Sequence, residues 1–106
     1  MEIFLNEYLS VLKLEKNLAE NTVASYRNDI INLIQFLQNY NINDPQQIKY
    51  THLADFFKFL NEAGLTSSSA SRYHSSLKGF FSYLYQNGYV TNNPVEKIPS
   101  PKLSKK

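Results

Sequence analysis

The chain has 106 residues, of which 42% are hydrophobic and 19% charged, with no cysteine and a formal net charge of +2. This composition indicates one soluble globular domain and excludes a disordered chain, a disulfide framework and a cysteine-based zinc site. No apolar run reaches the roughly 18 residues that a membrane span needs, and the N-terminus lacks the layout of a signal peptide. A cytoplasmic protein without a membrane partner is expected.

The charges are unevenly distributed along the chain. Residues 1–63 contain five Lys or Arg and eight Asp or Glu, whereas residues 64–106 contain six Lys or Arg and one acid, Glu96. Such asymmetry favours an anionic partner for the second half of the chain. Four of these six cations lie after residue 96, however, so they also fit an ordinary solvated tail.

The first half of the chain is predicted to form two amphipathic helices, from about Glu2 to Glu15 and from about Asn21 to Tyr40. In both, apolar residues recur at i, i+3, i+4 and i+7. The apolar stripe of the first helix is wider than one bundle face needs, so this helix is expected to meet a neighbouring protomer, although the isolated domain should be monomeric or only weakly associating. The buried stripe of the second helix is Val23, Tyr26, Ile30, Leu33, Ile34 and Leu37.

Two further helices are predicted in the second half. The third runs from about Thr51, its expected N-cap, to Ala63, and the fourth begins within Thr66–Ser69 and ends near Asn87. Their expected inward residues are Leu53, Phe56, Phe57 and Leu60, then Ala70, Tyr73, Leu77, Phe80, Phe81 and Leu84.

The prolines after the fourth helix exclude another long helix, and the lysine-rich residues 102–106 are expected to form a flexible basic tail. Residues 1–92 should therefore be an all-α, four-helix domain, followed by a linker over residues 93–106.

The outward faces of the second and fourth helices carry small, hydrogen-bonding residues where solvated helices usually carry Glu, Lys and Gln. Small residues let a helix approach DNA closely, and their hydroxyl and amide groups can bond phosphates. Arg72 is the one long cation on these faces and is predicted to read base edges; the alternative is that it merely solubilises an exposed turn or pairs with a nearby acid. The two faces are Asn21, Ala24, Ser25, Asn28 and Asn32, and Ser68, Arg72, Ser75, Ser76 and Gly79.

The N-termini of the same two helices offer backbone N–H groups to an anion, with Asn21-Thr22 and Ser67–Ser69 adding side-chain donors. Ser, Thr and Asn are also ordinary helix caps, so both readings stay open.

No catalytic, metal or cofactor site is expected. His52 and His74 lie in different helices, and neither has the partner spacing of a metal ligand pair. His74 flanks the buried stripe and is predicted to be a core-edge histidine. An acid–base or Ser-His-Asp enzyme finds no convincing set of residues.

Several short motifs occur in a recognisable order. Leu18–Thr22, Tyr26-Arg27, Asp29 and Phe36-Leu37 come first, and Thr51-x-x-x-Asp55 follows. The remaining motifs are Arg72, Leu77, Phe80-Phe81-x-Tyr83-Leu84, Gly88, Asn93-Pro94 and Pro101-Lys102. In order and spacing, over essentially all 106 residues, the sequence resembles the core-binding domain of Xer-type tyrosine recombinases and phage integrases.

The resemblance implies a SAM-like orthogonal four-helix bundle that forms one jaw of a clamp on a recombination half-site, with other recombinase protomers as synaptic partners. Ala19 departs from the capping Ser common in relatives, and Ala24 could contact only a thymine methyl group. The implied contacts are Asn21, Thr22, Ala24, Ser25, Asn28, Ser68, Ser69, Arg72 and Ser76, to which the tail adds Lys105 and Lys106 as phosphate contacts.

The resemblance also implies that the tyrosine nucleophile and its arginines belong to a C-terminal domain absent from this sequence, so none of the eight tyrosines is expected to cut DNA. A helical module that docks another protein through its small-residue faces is the alternative function.

Overall fold

A computed structural model describes residues 1–98, and every regular element in that range is helical. The four α-helices are α1 (Glu2–Leu14), α2 (Glu20–Leu37), α3 (Tyr50–Glu62) and α4 (Ser67–Gln86), and three short 3-10 helices cover Gln38–Tyr40, Pro45–Gln47 and Pro94–Lys97. The prediction of an all-α, four-helix bundle is confirmed. Within residues 1–98, no helix is both long and apolar enough to cross a membrane.

Helix boundaries differ from the prediction where a cap was assigned to the wrong residue. Thr51 is not an N-cap, because α3 begins at Tyr50 and Lys49 is the extended residue before it. The Lys49 backbone N–H donates to Nδ1 of His52 at 3.0 Å, so a ring nitrogen from the first turn bonds the N–H of the residue that precedes the helix. Thr66 does cap α4, since its Oγ1 accepts the backbone N–H of Ser69 at 3.2 Å.

The core lies between α2 and α4, which contact each other and are both contacted by α1 and α3. Phe56 of α3 is buried at the centre, and its ring lies 5.3 Å from that of Phe36 and 5.8 Å from that of Tyr73. It thereby ties α3 to both long helices. The fully buried side chains include Leu5, Ile30, Leu33, Leu37, Leu53, Leu77, Phe80, Phe81 and Leu84.

Helix α1 is held to the end of α4 by a carboxylate that accepts two phenol groups. The hydroxyls of Tyr83 and Tyr89 donate to Oε1 of Glu7 at 3.1 and 2.9 Å. Desolvation and the bond to Glu7 raise the pKa of Tyr83 to about 12, so both phenols are protonated donors at neutral pH. On the same helix Ile3 and Leu14 remain 68% and 79% exposed; the predicted protomer contact through α1 stays a prediction.

The described part of the predicted linker lies against the bundle. Pro94 and Val95 are buried, and the 3-10 helix Pro94–Lys97 packs on α3 and α4. His74 is buried, as a core-edge histidine was expected to be, and its Nε2 lies 3.2 Å from the carbonyl oxygen of Ile98. The domain boundary at residue 92 stays a prediction, and residues 99–106, including the basic tail, lie outside the described residues.

Gly79 faces α1, which is at variance with its predicted place on the outward face of α4. A β-carbon at this position would overlap the hydroxyl oxygen of Tyr8, whereas the ring carbon that carries this hydroxyl would lie 3.4 Å away. Tyr8 is itself confined, because it is 5% exposed and packs on Phe80 and Tyr83.

We therefore expect Gly79→Ala to lower the free energy of unfolding by about 1–3 kcal/mol, the usual cost of overpacking. In a Tyr8→Phe background the obstruction is gone, and the same change should raise stability by about 0.5–1 kcal/mol through the higher helix propensity of Ala. Urea unfolding of the four proteins measures both values. An effect of the same sign in both backgrounds would show that Tyr8 does not select glycine here.

Candidate nucleic-acid interface

The first two turns of α2 present the small polar residues singled out from the sequence. Asn21, Thr22, Ala24 and Asn28 are exposed, and Ser25 is half-buried. Ala19, the residue before the helix, is extended and makes no side-chain cap. The backbone N–H groups at this end of α2 therefore have no capping side chain at the N-cap position.

The start of α4 is also polar and accessible. Ser68 and Ser75 are exposed, and Ser69 is half-buried. Ser69 takes part in the cap, since its Oγ lies 3.2 Å from Oγ1 of Thr66 in addition to the backbone bond. The hydroxyl of Ser69 is thus held at the helix end by Thr66.

The prediction that Ser76 lies on the outward face is wrong, and the residue offers no surface for its predicted DNA contact. Its side chain is fully buried, and its Oγ donates to Oδ2 of Asp29 at 2.8 Å. At 100° per residue Ser76 was placed beside Arg72, but α2 packs over this part of α4 and covers it. A small residue fits there because α2 and α4 meet at this point, so the small size of Ser76 reflects helix packing and not DNA binding.

Arg72 and Asp29 form a bidentate ion pair between α4 and α2. Nε of Arg72 donates to Oδ2 of Asp29 at 3.0 Å, and Nη2 donates to Oδ1 at 2.8 Å. The Arg72 side chain is 47% exposed, whereas that of Asp29 is 1% exposed. Arg72 therefore does pair with a nearby acid, while almost half of its side chain still reaches the surface, and its role in base reading stays a prediction.

The chemistry of this pair is clear from its surroundings. The hydrogen bond to Asp29 is the largest cause that raises the pKa of Arg72, and partial desolvation opposes it. The guanidinium carbon lies 5.2 Å from the centre of the Tyr73 ring. Arg72 is thus a permanent cation, held on one side by a carboxylate and flanked by an aromatic ring.

Asp29 has a role that its motif does not predict, that of ion-pair partner to Arg72. It lies three residues after Tyr26 and four before Leu33, in line with the apolar stripe of α2. Because Asp is almost never fully buried without a partner, an acid at such a position indicates a buried ion pair. With two arginines in the chain, Arg72 was one of two candidate partners of this type.

A second polar link joins the same helices. Nδ2 of Asn32 donates to the hydroxyl of Tyr73 at 2.7 Å. Asn32 remains exposed, as predicted, but its amide is also used within the bundle. Together with the ion pair, this bond fixes α2 and α4 side by side near their accessible polar faces.

The two remaining predicted contacts belong to the C-terminal tail. Lys105 and Lys106 lie outside the described residues. Across residues 1–98, no three His, Asp or Glu side chains converge as a group that could hold a metal ion.

Comparison with known proteins gives a consistent family. Residues 5–88 match the family described as phage integrase, N-terminal SAM-like domain. The chain is 31% identical over 105 residues to "Tyrosine recombinase XerC" of Herpetosiphon aurantiacus, covering 99% of this chain and 34% of the relative. It is 38% identical over 108 residues to "Tyrosine recombinase XerD" of Pasteurella multocida, covering 97% and 33%. The chain therefore spans about a third of the length of these relatives.

Proposed function

The chain belongs to the phage integrase N-terminal SAM-like domain family, and we propose that it binds duplex DNA through the accessible polar faces of α2 and α4. The target on this proposal is a recombination half-site, and other recombinase protomers are the protein partners. The parent protein is then a tyrosine recombinase, as its relatives are named. Breaking and rejoining of strands would be carried out by residues outside this sequence.

The observation that carries the proposal is that the first halves of two adjacent helices, α2 and α4, each expose several small, hydrogen-bonding residues, with the half-exposed Arg72 among them. Phosphate contacts need such donors and close approach, and an arginine can add base recognition. The proposed contacts are Asn21, Thr22, Ala24, Ser25, Asn28, Ser68, Ser69 and Arg72, with Lys105 and Lys106 as sequence-independent phosphate contacts.

A negative charge on the candidate face tests the proposal with a matched control. Asn28 is exposed on α2, one residue from Asp29, and Asn28→Glu is expected to weaken duplex binding at least about fivefold. Two like charges about 4 Å apart repel by about 1 kcal/mol even in bulk water. Asn6→Glu makes the same change on an exposed residue of α1. Asn6 adjoins Glu7, which contacts Tyr83, eleven residues beyond Arg72 and so about 16 Å further along α4.

The measurement is fluorescence anisotropy of a labelled duplex, titrated with the wild type and both variants at several salt concentrations. We expect wild-type binding in the range of about 10⁻⁴ to 10⁻⁶ M for non-specific DNA at physiological salt, weakening as salt rises. Asn6→Glu should leave it nearly unchanged. Affinity that does not respond to salt, or equal losses in both variants, would reject this interface and favour the protein-docking alternative.

A further inference from the structure

The Arg72 guanidinium has two edges, and Asp29 occupies only one of them. An arginine carries five N–H donors in a planar fork. Asp29 takes Nε and one N–H of Nη2, at 3.0 and 2.8 Å. The three other N–H groups, two on Nη1 and one on Nη2, point away from this carboxylate. They include the end-on pair formed by Nη1 and Nη2.

The buried carboxylate is held in turn, so this orientation is fixed. Oδ2 of Asp29 also accepts the hydroxyl of the fully buried Ser76 at 2.8 Å. Asp29 itself is 1% exposed and cannot swing out with the arginine. Tyr73 lies beside the guanidinium carbon at 5.2 Å and limits its movement on one face. A long side chain that would otherwise sample many rotamers is thus directed by groups inside the bundle.

We infer that Asp29 is a positioning residue for DNA recognition: it holds the Nε–Nη2 edge of Arg72 inward and so presents the Nη1–Nη2 edge to a guanine in the major groove. This inference rests on the proposed function and adds to it the residue that sets the angle of the base contact. The end-on edge offers two parallel donors, which match the O6 and N7 acceptors of guanine. A single phosphate oxygen would need no such pair.

The expected benefit is selectivity. Ordering one rotamer-rich side chain on binding costs about 0.5–1.5 kcal/mol, or about two- to tenfold in affinity. In this chain the arginine is ordered on folding, so that cost does not fall on the base contact. The Asp29 carboxylate also places a negative charge beneath the interface. This charge repels DNA of any sequence, so a duplex that lacks the guanine contact has nothing to offset the repulsion.

In the variant Asp29→Asn, these two effects change the affinity for the two kinds of duplex in different directions. This difference separates a positioning role from simple support of the fold. Asp29→Asn removes the charge and weakens the hold on Arg72. Its affinity for scrambled duplex should stay the same or rise, while its affinity for the preferred duplex should fall about two- to tenfold. A variant that was merely less stable would lose affinity for both duplexes together.

The preferred duplex is obtained by using the 106-residue wild-type chain to select duplexes from a library with a random central segment. Binding of wild type, Asp29→Asn, Arg72→Lys and Ser76→Ala is then measured on the enriched and the scrambled sequence at fixed salt. Ser76→Ala is the matched control, because it also removes a hydrogen bond to Asp29 but leaves the arginine pair in place. Circular dichroism and the melting temperature confirm that each variant is folded.

Arg72→Lys keeps the cation on a half-exposed side chain but lacks the planar fork. It should retain the salt dependence and lose the sequence preference. Substituting 7-deazaguanine at the position where preference is lost should weaken wild-type binding and leave Arg72→Lys unaffected, which distinguishes a base contact from a phosphate contact. Adding Asp29→Asn to Arg72→Lys should change selectivity no further.

The outcomes separate the inference from the function on which it rests. No wild-type binding to any duplex overturns both. Binding in which Asp29→Asn keeps full selectivity, or reduces it equally in the Arg72→Lys background, overturns the positioning role alone. A loss of selectivity in Ser76→Ala as large as that in Asp29→Asn would also overturn it, since the arginine pair is intact there.

Discussion

Replacing Arg72 by alanine is expected to lower the free energy of unfolding by about 3–5 kcal/mol, although the side chain is nearly half exposed. The cost arises at its partner, because Asp29 stays buried and loses both hydrogen bonds from the guanidinium. A buried carboxylate without a cation is costly, and Ser76 alone cannot compensate for it. Arg72 therefore supports the bundle whether or not DNA is present.

Urea unfolding followed by circular dichroism measures this effect, and Arg27→Ala is the matched control. Arg27 is an exposed arginine of α2, and its loss should change stability by less than about 0.5 kcal/mol. The double variant Arg72→Ala/Asp29→Asn should recover part of the loss, because the neutral amide does not require a cation. If Arg72→Ala is no more destabilising than Arg27→Ala, the ion pair contributes little to the fold.

Replacing Phe56 by alanine should also cost about 3–5 kcal/mol, through lost burial and the cavity left behind. Phe56 is 1% exposed and contacts the rings of Phe36, Phe57 and Tyr73, so it is the aromatic residue shared by three helices.

The control for this change lies three residues later on the same helix. Phe59 is 51% exposed and contacts Phe36 at its outer side, so Phe59→Ala should cost much less. Thermal unfolding of the two variants compares them directly. Equal losses would mean that α3 is held by its outer aromatic ring rather than by the buried one.

The helices and most of the core could be predicted because apolar spacing is set by each helix alone. The inward residues assigned to α4 include Tyr73, Leu77 and Phe80, all of which are buried. The prediction of Thr51 as a cap was wrong because a hydroxyl near a helix start does not fix the first residue of the helix. Helix α3 begins one residue earlier, after Lys49, whose own N–H bonds His52.

The candidate face could be predicted only in part. Residues on one side of a helix can be exposed or buried, depending on which neighbouring helix packs against them. Ser68 and Ser76 look alike in sequence, yet Ser68 is exposed and Ser76 is buried against Asp29. The pairing of Asp29 with Arg72 joins positions 43 residues apart. No local pattern contains such a contact, although an acid within an apolar stripe indicates that some cation must reach it.

The segment after α4 is packed on the helices and belongs to the bundle. Residues 93–98 lie against α3 and α4, and the carbonyl of Ile98 is near His74. The chain is therefore held to the bundle as far as Ile98, twelve residues beyond the end of α4 at Gln86. A truncation at residue 92 would remove packing from both α3 and α4.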